Sequence, residues 1–409
     1  MISENNRIFD DRVLDELDKC AACGTCHSVC PVYNLSKDDS LSARGRIHLL
    51  KAIVEGGLES GEVSKNIFNR CLLCYACETV CPSGVKTSEI WIEAREYFAR
   101  RLGSGLKGKA IRKLSDWDSL KKAAKIGKGL QRLAPDDILG KGRFTPAMAD
   151  KFVLEMLPDT VEAVGERKIR VGYFVGCVSN FFLGEIAIAA INVLSKLGCE
   201  VIIPKQQVCC GAPAFNNGEF EAAKRLARKN IEVFLGAEVD CITSADATCG
   251  GSFAHEYNQL LHGEEGLEEF SRKYREIHGL ISELGLEDGL LERKDSRVTY
   301  HDSCHLRHTQ GVRDIPRRII ESLPGVQLVE MQGAELCCGF GGSFSLFHAA
   351  DSTSISSDKL KYAEDTGAEE IAAGSPGCIL RLKDQAGKSG SKIRVKHTIE
   401  LINERLNSN

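Results

Sequence analysis

From about residue 168 onward, short apolar runs alternate with longer amphipathic segments, and the whole alternation occurs twice. In the first pass Ile169 to Val175, Glu200 to Ile203 and Asp240 to Thr243 read as strands; in the second, Arg297 to Tyr300, Gln327 to Glu330 and Glu370 to Ala372 do. Each run is followed by residues with helical spacing, and strand–helix alternation of this kind builds parallel sheets. The N-terminal region has a different period. Between Ser42 and Val54, Ile47, Leu50 and Val54 recur at helical spacing, and after Thr87 a second stripe of Ile90, Ala94, Tyr97 or Phe98 and Leu102 has Glu89 early and Arg100 and Arg101 late, as the helix dipole favours. The pattern predicts an α+β multidomain chain: an α-helical domain over 1–102, a basic helical linker over 103–167, and two repeated α/β half-domains with parallel strands over 168–290 and 291–409.

Charge changes the picture in one place. Residues 100–143 hold thirteen Lys or Arg against four Asp. There Trp117, Leu120, Ala123 and Ile126 can form an apolar stripe beneath Lys121, Lys122, Lys125 and Lys128, suited to an anionic membrane surface, an acidic partner, or a face of the neighbouring domain. Gly103, Gly105 and Gly108 imitate a dinucleotide-binding loop, but no strand precedes them. The net charge of −4 gives no reason to expect nucleic acid.

Eighteen cysteines in a small secreted chain would suggest disulfides, but 409 residues that are 43% apolar bury an ordinary core without them. The opening residues, Met-Ile-Ser-Glu-Asn-Asn-Arg, do not read as a signal peptide, and no apolar run of about 18 residues could span a bilayer. A cytoplasmic protein with reduced thiols is expected, and Asn34-Leu35-Ser36 is then a chance glycosylation match.

Sixteen of the cysteines are patterned. Cys20, Cys23, Cys26 and Cys30, before Pro31, and Cys71, Cys74, Cys77 and Cys81, before Pro82, repeat the C-x2-C-x2-C-x3-C-P spacing of cubane iron–sulfur clusters. In paired runs the fourth cysteine serves the other cluster, which groups Cys20, Cys23, Cys26 and Cys81 on one [4Fe-4S] cluster and Cys71, Cys74, Cys77 and Cys30 on a second. Farther on, Cys177, Cys209, Cys210 and Cys249 recur as Cys304, Cys337, Cys338 and Cys378 at offsets of 127, 128, 128 and 129. All eight follow predicted strands, where ligands bind in open parallel sheets, so four thiols converge on one point in each half. Converging thiolates select iron–sulfur or zinc. Gly211 and Gly339 leave the backbone room to turn after the cysteine pairs. Cys199 and Cys241 lack repeat partners and read as core packing. His301, His305 and His308 flank Cys304; His301 and His308 are the candidates for ligation, proton transfer or a hydrogen bond to a quinone oxygen.

Ala43-Arg-Gly-Arg-Ile47, Cys71 to Val85, Cys209-Cys-Gly-Ala212, His301-Asp-Ser-Cys304 and Cys337-Cys-Gly339 resemble the iron–sulfur subunit of glycolate oxidase and lactate dehydrogenase complexes, within the wider Cys-Cys-Gly group that includes heterodisulfide reductases. The resemblance spans nearly the whole chain. It implies an electron-transfer subunit fed by a separate FAD-containing dehydrogenase subunit that oxidises a 2-hydroxy acid. Electrons then pass toward quinone at the inner face of the membrane or an electron-transferring flavoprotein. The chain carries no recognisable flavin motif of its own. The alternative is a catalytic subunit of the heterodisulfide reductase type, whose motifs end in C-x2-C and supply five thiols. Here Asp246 and Ser375 stand where the fifth would be. Each site is left with four thiolates, completed by His or Asp or holding zinc: an additional iron–sulfur cluster in the second half, and a cluster or zinc in the first. Arg44 and Arg46, between the two runs, are placed in sequence to favour reduced, more negative clusters.

Overall fold

The computed structural model describes residues 8–114, 116–133, 146–287 and 289–407. Helices dominate the N-terminal region, among them Asp11–Asp18, Ala43–Val54, Glu62–Asn69 and Thr87–Leu102. The Ser42 hydroxyl caps Ala43–Val54 by accepting from the Gly45 amide at 3.0 Å. Gly45 has to be glycine, because a Cβ there would sit 1.9 Å from the Asp39 carbonyl. That close approach seats Arg46 and Ile47 against the loops that carry the cysteine runs.

The helical core, with Ile47, Leu50, Phe68, Trp91 and Phe98, continues into the first half-domain through Phe215, Ala222 and Leu226. Arg95 stitches the seam. Its buried guanidinium donates to the carbonyls of Phe68 at 2.9 Å and Cys71 at 2.6 Å, and across to Asn216.

Eight strands form two four-stranded sheets: β1 (Thr160–Val161), β2 (Ile169–Tyr173), β3 (Cys199–Ile202), β4 (Cys241–Thr243), β5 (Ser296–His301), β6 (Val326–Leu328), β7 (Glu370–Ala373) and β8 (Arg394–His397). Their orders are β1-β3-β2-β4 and β6-β5-β7-β8. All pairings are parallel except β1 with β3. In both sheets the first strand of the repeat is central and its successors lie on either side, so a crevice opens beyond its carboxyl end. One apolar core, from Val171 and Leu194 to Val298, Ile371 and Ile402, runs through both halves.

The six expected strands are present, with ends shifted by a residue or two. β1 and β8 were not expected. β8 reads Arg-Val-Lys-His, with too little apolar character to announce a strand, and it forms because Arg394 and Lys396 reach Glu370 on β7 at 2.9 and 2.7 Å.

The basic segment forms the helices Gly105–Leu114 and Trp117–Leu133. Its apolar face differs from the expected stripe. Trp117, Leu120 and buried Ala124 pack on Phe152, Phe181 and Cys177, whereas Ala123 is exposed and Ile126 is 64% exposed. A strict spacing of three drifts about 60° per step around a helix of 3.6 residues per turn, which carries Ile126 to the far side. The helix is thus docked on the first half; the side chain of Lys128 lies outside the described residues. Among the described residues no helix is long and apolar enough to cross a membrane.

A line of cysteine sites

Both N-terminal runs use the same local geometry. Ala22 and Leu73, two residues after the first cysteine of each run, have φ of 54° and 52°, and Gly24 and Tyr75, two further on, have 82° and 59°. Left-handed turns at non-glycine residues are strained, and their repetition at matched positions marks a constraint shared by both loops. The turns leave Cys20, Cys23, Cys26 and Cys81 around one cavity, beside Arg44. Cys30, Cys71 and Cys74 surround a second, beside Arg46, and Cys77 lines both. The Arg44 guanidinium donates to the Ala22 carbonyl at 3.3 Å, and that of buried Arg46 to the Ile67 carbonyl at 3.0 Å. Each cavity therefore has a fixed cation in its wall. Cys23 is exposed, and the other seven run cysteines are half-buried.

In the half-domains the sulfurs form two matching chains, Cys177–Cys209–Cys210–Cys249 and Cys304–Cys337–Cys338–Cys378, in which each thiol interacts with the next. Gly211 and Gly339, at φ of 95° and 83°, make the turn after each pair. Within each half the sulfurs follow one another in a row, and the two groups do not occupy separate crevices. Cys177, Cys210 and Cys249 from one half and Cys304, Cys337, Cys338 and Cys378 from the other line a single cavity of 140 Å³, because the carboxyl ends of the two sheets face each other. Asp246 and Ser375, the residues in the fifth-thiol positions, meet there: the Ser375 hydroxyl donates to the Asp246 carboxylate at 3.3 Å.

Sulfur neighbours and burial hold Cys209, Cys249, Cys304, Cys337 and Cys338 well above the usual thiol range and push Cys210 up to about 12. Buried thiols packed this densely lose their protons when a cation takes the protons' place, so the donor set fits a thiophilic metal centre.

The groups behind the sulfurs differ between the halves. Behind the first, burial raises Asp246 to about 6 and Glu256 to about 8; Glu256 accepts from the Ser252 hydroxyl at 2.6 Å. Behind the second stands Lys359, which is 1% exposed, donates to the carbonyls of Gly333 and Ala334, makes no ion pair with a described residue, and is drawn by burial down to about 8. Gly211 faces Ala223 and Leu226 as Gly339 faces Ser352 and Ile355, a register that pairs Lys359 with neutral Asn230. Asn230 instead donates to the Cys209 carbonyl at 3.0 Å. Sequence reasoning missed both Lys359 and Glu256, because nothing in the helical segments that carry them marks these charged residues as buried.

The two histidine candidates part company. His301 ends β5, fully buried, with Cys338 and Cys378 beside it. His308 lies on the seam with the N-terminal region, its Nδ1 2.8 Å from the Thr79 hydroxyl. His305, whose Nδ1 is 3.5 Å from Cys304 Sγ, lines the shared cavity. Cys199 and Cys241 are buried within β3 and β4.

The sites are contiguous. Cys77 is common to the two N-terminal cavities, and Leu72 is common to the second of these and the half-domain cavity. Leu72 also packs in one small apolar cluster with Cys304 and Cys337, against which Cys30 and Cys74 lie. That small cluster takes its half-domain cysteines from the second half, while the first half shares the larger helical core with Cys71 and Cys77.

An iron–sulfur oxidoreductase subunit with twin Cys-Cys-Gly half-domains is what this fold and these sites define. Residues 16–85 match the 4Fe-4S dicluster domain family, and 171–254 and 298–383 each match the cysteine-rich domain family. A Bacillus subtilis protein named "Probable glycolate oxidase iron-sulfur subunit" is 30% identical over 95% of this chain and 94% of its own length. The chain belongs to the family of that subunit. Lactate utilization protein A of Geobacillus kaustophilus is 32% identical over 58% of this chain and its full length. In fold, the chain is similar to a crystal structure of a hypothetical protein from Helicobacter pylori, with a TM-score of 0.53 over 98% of this chain and 74% of that one at 9% identity.

Proposed function

We propose that the chain is the electron-transfer subunit of a 2-hydroxy-acid dehydrogenase complex of the glycolate or lactate type, carrying electrons from an FAD-bearing partner toward quinone or an electron-transferring flavoprotein. Cys20, Cys23, Cys26 and Cys81 would hold one [4Fe-4S] cluster, and Cys71, Cys74, Cys77 and Cys30 the other. Cys304, Cys337, Cys338 and Cys378 would hold a further iron–sulfur centre, with Lys359 favouring the additional negative charge of its reduced state. Cys177, Cys209, Cys210 and Cys249, with Asp246 and Glu256 behind them, suit a dication such as zinc. When bound, iron–sulfur clusters take up and release single electrons.

The observation that carries this reading is the contiguity of the sites from exposed Cys23 inward, through Cys77 and then Leu72, to Cys304 and Cys337. Arg44 and Arg46 in the cavity walls support it, since fixed cations stabilise anionic clusters and raise their potentials. Cys74→Ser in the assembled complex tests it. Electron delivery from the reduced flavoprotein to the half-domains is expected to fall to background while the chain stays folded, and full activity would overturn the wire.

The cavity shared by both thiol groups favours a second reading, disulfide reduction between the half-domains. Disulfide reductase activity in the isolated, chemically reduced chain would support it over the first.

A further inference from the structure

The second half lacks a fifth thiol but not a fifth donor. His301 stands at the carboxyl end of β5, the central strand, where the crevice opens. One ring nitrogen of His301 and the sulfurs of Cys338 and Cys378 all lie within 4.8 Å of one another, and all three residues are buried. A buried imidazole normally has its nitrogens satisfied. His278 meets Glu276 through Nδ1, and His397 Nδ1 accepts from the Ile399 amide. Among the buried histidines of the described residues, His301 alone has both ring nitrogens without a well-formed hydrogen bond, although the Ala334 carbonyl lies beside the ring. The repeat supplies a control within the same molecule: the offset that carries Cys304 to Cys177 carries His301 to Phe174, whose ring packs on Phe234 and Phe253.

We propose that His301 is a nitrogen ligand of the metal centre in the second half, which four thiolates and one imidazole bind, whereas the first half offers four thiolates with the Asp246 carboxylate at hand. His301 thereby takes the place of the absent fifth thiol. Imidazole is neutral where thiolate is anionic, so the exchange leaves the centre one negative charge poorer and easier to reduce. Lys359 adds to the same bias.

The inference rests on the proposed function only in taking the second-half metal to be iron, and the experiment separates the two. The holoprotein is prepared with 15N-labelled histidine, its iron and zinc are counted, and the reduced protein is studied by pulsed electron paramagnetic resonance. A coupling to directly bound 15N on a signal other than those of the two cubane clusters is expected. His301→Cys, which offers a thiol in its place, is expected to keep that centre, lose the coupling and lower the midpoint potential. Absence of the coupling in the native protein, or its persistence in His301→Cys, overturns the assignment. If only cubane iron is found, the second half is not an iron site, and X-ray absorption at zinc in a Cys210→Ser background decides on His301: a nitrogen neighbour lost in His301→Cys supports it, and an unchanged shell or a second half without metal overturns it.

Discussion

The two half-domains share the order of their three repeated strands, a cysteine pattern and one cavity, yet they differ in what stands behind the sulfurs. The first sets Asp246 and Glu256 against its thiols; the second sets Lys359 and His301. The same four-thiol scaffold thus has carboxyl groups behind one set of sulfurs and an amine and an imidazole behind the other. A charge buried behind a metal centre acts through a low dielectric and is screened little by salt, so a single residue shifts the chemistry. Cysteines of the second half share a small apolar cluster with Leu72 and the N-terminal Cys30 and Cys74, while those of the first pack in the larger core beside Cys71 and Cys77. The repeat keeps the thiol pattern and changes the residues behind it.

The largest effect that can break this comparison comes from removing one thiol on each side. Cys338→Ser is expected to abolish the half-domain redox signal and electron delivery while sparing both cubane signals. Cys210→Ser is expected to lose non-iron metal and stability but retain electron transfer. Equal losses in metal counts and activity would erase the distinction.

Acid should act through the second half. His397, at the end of β8, is fully buried, and burial lowers it to about 3. A histidine whose folded pKa lies below its unfolded value of about 6.5 contributes fully above that pH, and its contribution is lost as the pH falls from there toward 3. Unfolding free energy should drop by up to about 1.4 kcal/mol per pH unit in that window from this group. His397→Asn should flatten the dependence in denaturant titrations at pH 7.0 and 5.5; an unchanged slope would count against it.

Lys359→Met should lower the midpoint potential of the second-half centre by on the order of 60 mV, about a tenfold change in a one-electron equilibrium. Lys359→Arg should retain most of it, and a redox titration giving one potential for all three proteins would remove the lysine from the comparison. The smallest effect is expected at the seam, where Arg70 meets Asp351 at 2.8 and 3.0 Å. The pair is partly exposed, so Asp351→Asn should cost only about 0.5–1 kcal/mol in thermal unfolding. A larger loss would show that the seam, rather than the shared apolar packing, holds the N-terminal region to the second half.

Much of this fold was legible because its strands are apolar runs repeated at a nearly constant offset. β8 was not, since Arg394 and Lys396 become strand residues only beside Glu370. The linker helix was legible as a helix but not in phase: Ala124, rather than Ala123 or Ile126, faces the core. In the candidate site the sixteen patterned cysteines and His301 could be named in advance. Leu72 could not, because a leucine between two cysteines of a cluster run looks like ordinary packing. Lys359 could not either, because nothing in its own helix says that the loop carrying Gly333 and Ala334 will cover its ammonium group.

The sequence by itself determined the kinds of donor, their spacing and their repetition, since these follow from residue identity and local turn geometry. Tertiary structure decided which thiols share a cavity, which cysteine site lies next to which, and which charges stand behind the sulfurs. Those outcomes depend on how the carboxyl ends of two sheets pack face to face, bringing together residues more than a hundred positions apart in an interior where charge is poorly screened.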